Sequence, residues 1–199
     1  MASKKSKTGA IERYNAGVVF YNKKDYTKAI SEFRGALSAD SKNVRYRTAL
    51  ANSYNNRGVS RYEAKKYEMA ASDFEKAAGL ESNNNQYAEN LKLAKDSMKK
   101  DKMDGLCKGA YASYNKKKYT ESIKMLKETA KLSPKDRDLI EALAVAYNGR
   151  GVKHYEEGKF EKAIDDFSRA KQLWPAEEQY GKNLQWTKVA ARRSKKKKK

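Results

Sequence analysis

One cysteine, Cys107, and one histidine, His154, are the only thiol and imidazole in the chain. A Cys–His nucleophile pair would need the two within hydrogen-bond reach, with a third group orienting the ring. They fall in neighbouring segments, but no catalytic motif surrounds either. His154 occupies the slot that Arg61 fills in a related segment, so it reads as a surface histidine. Cys107 reads as a small packed residue. Gly151 and Gly158-Lys159 suggest a phosphate loop, but the spacing is wrong and no Ser or Thr follows the lysine. A single cysteine excludes an intrachain disulfide or a Cys-rich zinc site, and a single histidine argues against most His-based metal sites. Acidic residues occur throughout, and no carboxylate pair reads as standing apart from solvent-exposed helix faces. No catalytic constellation emerges, so neither an enzyme nor a cofactor is expected.

The residues able to bind are lysines and asparagines. The chain has 199 residues and a formal net charge of +20, from 45 Lys and Arg against 25 Asp and Glu. Lys4, Lys5 and Lys7 make the start basic, and Arg192, Arg193, Lys195, Lys196, Lys197, Lys198 and Lys199 make the end more so. With both ends removed the body still carries about +10. Residues 1–9 and 192–199 are too charged and too poor in apolar groups to fold alone, so both read as disordered basic tails. A solubility tail is the other reading of the terminal lysines. Lys23, Lys24, Lys65, Lys66, Lys116, Lys117, Lys118 and Lys159 fall in equivalent short segments, each just after Tyr21, Tyr62, Tyr114 or Tyr155. A basic ridge interleaved with aromatics suits RNA, a ribosome, an anionic membrane or an acidic protein surface. Ordinary solvated turn lysines are the simpler alternative.

The elements that carry these residues are repeated helices. Tyr26, Tyr67, Tyr119 and Phe160 open similar segments at spacings of 41, 52 and 41 residues. A shift of 93 residues aligns 13–91 with 106–184 at 29 identities in 79 positions. The chain is therefore a duplicated two-repeat unit. Within a repeat, Tyr54, Gly58 and Tyr62, then Tyr67, Ala70, Phe74 and Ala77, step by three and four, the period of one helical face. Gly17, Gly58 and Gly151, with Ala110 in the remaining copy, recur at one slot inside a helix. Glycine there costs about 1 kcal/mol against alanine, so close approach of the partner helix is expected. Tyr87, Leu91, Ala94 and Met98 form a further stripe that Tyr180, Leu184, Thr187 and Ala191 repeat. The second copy reads as a terminal capping helix. The first reads as a long helix running into the third repeat, with a short break near Asp101–Asp104 as the alternative.

This pattern resembles the tetratricopeptide repeat, over roughly residues 10–176. The family's first small residue matches Gly17, Gly58, Ala110 and Gly151. Its turn aromatic matches Tyr26, Tyr67, Tyr119 and Phe160, and its following alanine matches Ala29, Ala70 and Ala163, with Ser122 departing. Phe33, Phe74, Leu126 and Phe167, then Ala36, Ala77, Thr129 and Ala170, continue the match. The closing proline survives as Pro134 and Pro175, replaced by Ser41 and Ser82. The usual period is broken by seven, eighteen and seven extra residues, the sevens lengthening first helices at 44–65 and 137–158.

The resemblance implies an all-α, right-handed helical solenoid with an extra capping helix and a groove lined by first helices. Tyr21, Asn52, Asn55, Asn56, Val59, Tyr62, Tyr114, Asn148, Val152 and Tyr155 would lie on that groove face. An asparagine amide both donates and accepts, so these amides suit a peptide backbone. Bonds to neighbouring helices are the alternative. The carboxylate clamp of some relatives is not met, because Tyr14 and Val18 stand where it wants Lys and Asn.

The expected organisation is a tail at 1–9, a first repeat pair with connecting helix at 10–100, a second pair with capping helix at 101–191, and a tail at 192–199. No apolar run is long enough to span a membrane, and the first residues lack the apolar stretch of a secretory signal. With one reduced thiol, the expected setting is the cytoplasm. The expected function is a non-catalytic adaptor or scaffold that binds a peptide or helix of another protein in the groove. The polyanion-binding reading is the alternative.

Overall fold

The computed structural model describes the backbone of residues 2–197 and the side chains of residues 8–196. Among the described residues there are nine α-helices and no strand. They are α1 (Ala2–Asn22), α2 (Tyr26–Ala39), α3 (Val44–Glu63), α4 (Tyr67–Leu80), α5 (Asn85–Asn115), α6 (Tyr119–Leu132), α7 (Arg137–Glu156), α8 (Phe160–Leu173) and α9 (Glu178–Lys197). The chain forms two compact units that divide between Lys100 and Asp101, inside the 31-residue α5. No break falls at Asp101–Asp104.

Each unit is built from helix pairs with short turns. In the amino-terminal unit Asp25 caps α2 by accepting from the Lys28 amide at 3.1 Å, and Asn43 caps α3 through the Tyr46 amide. The turn inside every pair ends on one residue in left-handed backbone: Lys24, Lys65, Lys117 and Gly158 at φ 59, 58, 56 and 69°. That conformation lets Asp25 N–H reach back to Phe20 C=O at 2.9 Å, closing the helix end. Gly158 is thus a turn residue, not part of a phosphate loop.

The cores follow the small-to-aromatic pattern. Ala29, Phe33 and Leu50 are buried with Val18 and Tyr54 against them, and Phe74 packs with Ala70 and Ala94. In the carboxy-terminal unit Leu126, Leu143, Tyr147 and Tyr180 form one cluster with Ala110. A β-carbon added at Gly17, Gly58 or Gly151 would stand 2.6, 2.6 or 2.8 Å from the ring of Phe33, Phe74 or Phe167. Close approach is therefore the reason for glycine at that slot.

Two expectations are corrected. Residues 2–9 and 192–197 are helical rather than disordered, while residues 1, 198 and 199 lie outside the described residues. Ala10 and Ala191 are buried and anchor α1 and α9. Extending a formed helix needs no new nucleus, and lysine is a good helix former. His154 is not an ordinary surface residue, because its side chain lies largely covered beside Asp166. Two single carboxylates, one in each unit, are buried: Asp73 and Asp166 are 0% and 2% exposed.

Candidate functional site

The first helices of adjacent pairs are fastened by side-chain hydrogen bonds between residues 35 apart. Asn56 Nδ2 donates to Tyr21 Oη at 2.6 Å, joining α3 to α1. Tyr87 Oη donates to Asn52 Oδ1 at 2.7 Å, and Asn90 Nδ2 donates to Asn55 Oδ1 at 2.8 Å, joining α5 to α3. Tyr62 Oη and Ser97 Oγ lie 2.9 Å apart. In the other unit Asn183 Nδ2 donates to Asn148 Oδ1 at 2.9 Å, joining α9 to α7. Burial, with Tyr26 adding to it, pushes the Tyr21 phenol up against the opposing bond from Asn56. The predicted groove asparagines therefore each engage a neighbouring helix. An amide has four hydrogen-bonding positions, so capacity remains for a ligand. Asn148→Ala is expected to cost about 1 kcal/mol by orphaning Asn183, read as a lower Tm by circular dichroism.

The remaining predicted groove residues divide by exposure. Tyr21, Tyr62 and Tyr114 are half-buried, each edge-on to the turn aromatic after it, with centroids 5.6, 5.2 and 5.3 Å apart. Val59, Val152 and Tyr155 are exposed. On α7 and α9, Tyr155 joins Trp186 and Val189 around an open cavity of about 680 Å³, with Arg193 at its edge. Trp186 is 61% exposed. The sequence reading missed Trp186 and Val189, although their spacing of three marks one face of α9.

The turn lysines are all exposed: Lys23, Lys24, Lys65 and Lys66 in one unit, and Lys116, Lys117, Lys118 and Lys159 in the other. Lys159 pairs with Glu157 at 2.7 Å and Lys118 with Glu121 at 3.7 Å. On α9, Arg192, Arg193 and Lys196 are exposed and Lys195 reaches Glu161 at 2.8 Å. Lys197 is helical, and its side chain, with Lys198 and Lys199, lies outside the described residues.

A buried ion network was also missed. Arg57 grips Asp73 through Nε and Nη2 at 2.9 and 2.8 Å, and Arg61 Nη1 adds a third bond at 2.6 Å. Its sister has Arg150 on Asp166 at 2.9 and 2.7 Å. There His154 replaces Arg61, with Nδ1 3.1 Å from Asp166 but outside hydrogen-bonding geometry. Hydrogen bonding to the carboxylate raises the Arg57 and Arg150 pKa values further. This network lies between paired helices and is structural. Among the described residues no group of His, Cys, Asp or Glu could hold a metal ion.

Family models described as tetratricopeptide repeat match residues 13–43 and 51–84, and residues 144–176. These are the first, second and fourth helix pairs. The chain is a tetratricopeptide-repeat protein. The third TPR pair, unmatched by a model, is the one where Ser122, Leu126 and Thr129 depart from the other copies. A search of curated proteins returned no match. Among solved structures, the chain is similar to the P58(IPK) TPR domain, at 16% identity and a TM-score of 0.31, covering 93% of this chain and 56% of that one. It is similar to the TPR2AB domain of yeast Sti1 in a pHSP90 complex, at 14% identity and a TM-score of 0.31, covering 92% and 84%. MamA residues 41-end from Desulfovibrio magneticus RS-1 align at 16% identity and a TM-score of 0.29, covering 94% and 92%. Among the described residues, no helix of this TPR protein is long and apolar enough to cross a membrane.

Proposed function

We propose that the protein is a non-catalytic adaptor that holds a peptide or helix of a partner protein along its first helices. The observation that carries this reading is the exposed apolar strip on α7 and α9. Tyr155, Trp186 and Val189 are 41, 61 and 43% exposed and line one cavity in the carboxy-terminal unit, and Val152, 38% exposed, stands one turn before Tyr155 on α7. A contiguous apolar patch of this kind marks an interaction surface. Tryptophan and tyrosine are the side chains that most often dominate binding energy. The helix pairs present this face on rigid elements, which suits recognition without chemistry.

The test is a quantitative pull-down with the whole chain and a Tyr155→Ala/Trp186→Ala variant, compared by mass spectrometry. Both residues are exposed, so helicity by circular dichroism should be unchanged. Partners captured by the wild type are expected to fall at least about tenfold on the variant. An unchanged partner set would remove the site from this face. Replacing Asn55, Asn56 and Asn148 with alanine is a poorer test, because it also unfastens helices.

A further inference from the structure

Between the end of α5 and α7, within the carboxy-terminal unit, lies a second cavity of about 550 Å³. Ala110, Leu126 and Leu139 form its buried floor and Cys107 a half-buried wall, while Tyr111, Asp138 and Glu141 are exposed at its rim. The equivalent space 93 residues earlier is filled. Tyr14 stands in place of Cys107, Phe33 of Leu126 and Tyr46 of Leu139. Tyr14 stacks against both, with centroids 5.5 Å from Phe33 and 5.1 Å from Tyr46. The duplication thus supplies an internal control: the same fold closes this space with three rings and leaves it open when they are absent. The smaller side chains leave apolar walls uncovered, and an apolar side chain seated there would supply the contacts those walls lack.

The rim has changed sign as well as the floor its volume. Asp138 and Glu141 replace Arg45 and Thr48, and neither carboxylate makes an ion pair among the described residues. The fastening amides have gone too. Gly149 and Val145 stand where Asn56 and Asn52 bond Tyr21 and Tyr87. The corresponding hydroxyls of Tyr114 and Tyr180 make no hydrogen bond among the described residues. Burial raises both phenols, and Glu141 and Tyr114 both act on Tyr180, which brings these groups into one neighbourhood. Apolar floor, two carboxylates without ion pairs, the Tyr114 hydroxyl and the exposed Tyr111 ring line one cavity, and together they match an apolar group followed by a cation.

We propose that this cavity receives one aromatic or long aliphatic side chain of a partner peptide, with an adjacent lysine or arginine held by Asp138 and Glu141. The proposal rests on the peptide-binding reading above and names the residue pattern it would select. It runs against the overall +20 charge of the chain, so net charge alone cannot produce it.

The experiment pans a random short-peptide library on the full chain and measures the enriched peptides by fluorescence polarisation. Enriched peptides should pair an aromatic, Leu or Met with a neighbouring Lys or Arg. Their affinity should fall at least about tenfold on a Cys107→Tyr/Leu139→Tyr variant, which restores two of the three rings of the filled half. It should fall about five- to tenfold on Asp138→Asn/Glu141→Gln, whose exposed positions leave folding untouched. Peptides that bind both variants as well as the wild type would overturn the cavity as a site while leaving the adaptor reading intact. Enrichment of acidic peptides insensitive to Asp138→Asn/Glu141→Gln would do the same. A library that yields no binder at all would overturn the cavity proposal, while the adaptor reading stands or falls on the pull-down.

Discussion

Arg57→Ala is expected to destabilise the amino-terminal unit by about 3–5 kcal/mol. The loss comes from Asp73, which is 0% exposed and receives three of its hydrogen bonds from Arg57 and Arg61. Removing the two-bond fork leaves a fully buried carboxylate with the single Arg61 contact, and stripping a buried charge of most of its partners is among the costliest single changes. Lysine at position 57 should recover only part of the loss, because a point charge cannot reproduce both bonds. The third helix pair shows how the fold manages without the ions. Gly109 and Met125 occupy the equivalent slots, and the Met125 sulfur lies 2.9 Å from where a Gly109 β-carbon would stand. Arg57→Gly/Asp73→Met, which copies that pair, should therefore be more stable than Arg57→Gly alone. Hydrogen exchange of α3 and α4 amides reads the effect locally. A single substitution costing under 1 kcal/mol, or a double variant no better than the single, would show that the network is not what ties these helices.

The helix pairs were legible because their evidence is local and repeated. Steps of three and four residues, turn aromatics and glycine at one slot each report on a few neighbouring positions. The 93-residue shift lets one half check the other. The uninterrupted α5 followed from the absence of glycine and proline between 86 and 104. Side-chain destinations were harder. Asp73 looks like any acid on a helix, and its partners Arg57 and Arg61 stand sixteen and twelve residues away on the paired helix. A signal was present, since Arg and Asp recur together at 150 and 166 while both are absent at 109 and 125. The asparagines were read as facing a ligand because an amide's chemistry is the same whether its partner is a peptide or a tyrosine. Their partners stand 35 residues on, which is the offset from one first helix to the next, and Tyr21 with Asn56 and Asn52 with Tyr87 both carry it. The helical ends were misjudged from charge, which opposes compaction but hardly opposes extending a helix whose buried turn is already formed. Exposure of Trp186 is set by where α8 ends and α9 packs, and composition holds no trace of that.

Gly58→Ala is expected to destabilise the protein although alanine is the better helix former. Propensity alone favours the change by about 1 kcal/mol. The added methyl would stand 2.6 Å from Cε1 and 2.8 Å from Cδ1 of Phe74. Phe74 is 2% exposed, between Ala70 and Ala94, so its ring cannot retreat without moving a helix. Overpacking of a dense core costs about 1–3 kcal/mol, and the net result should be a clear loss in Tm. The repeats themselves supply the compensating change. Where the slot holds Ala110, the residue sixteen positions on is Leu126, and wherever it holds glycine that residue is phenylalanine. Gly58→Ala/Phe74→Leu should accordingly be more stable than either single variant predicts by addition, with a coupling of about 1–2 kcal/mol. The converse holds in the third pair: Leu126→Phe should be tolerated only together with Ala110→Gly. Thermal unfolding of the four variants measures the cycle at 58 and 74. Additive effects would mean that the glycine serves the backbone of α3 and not the ring of α4.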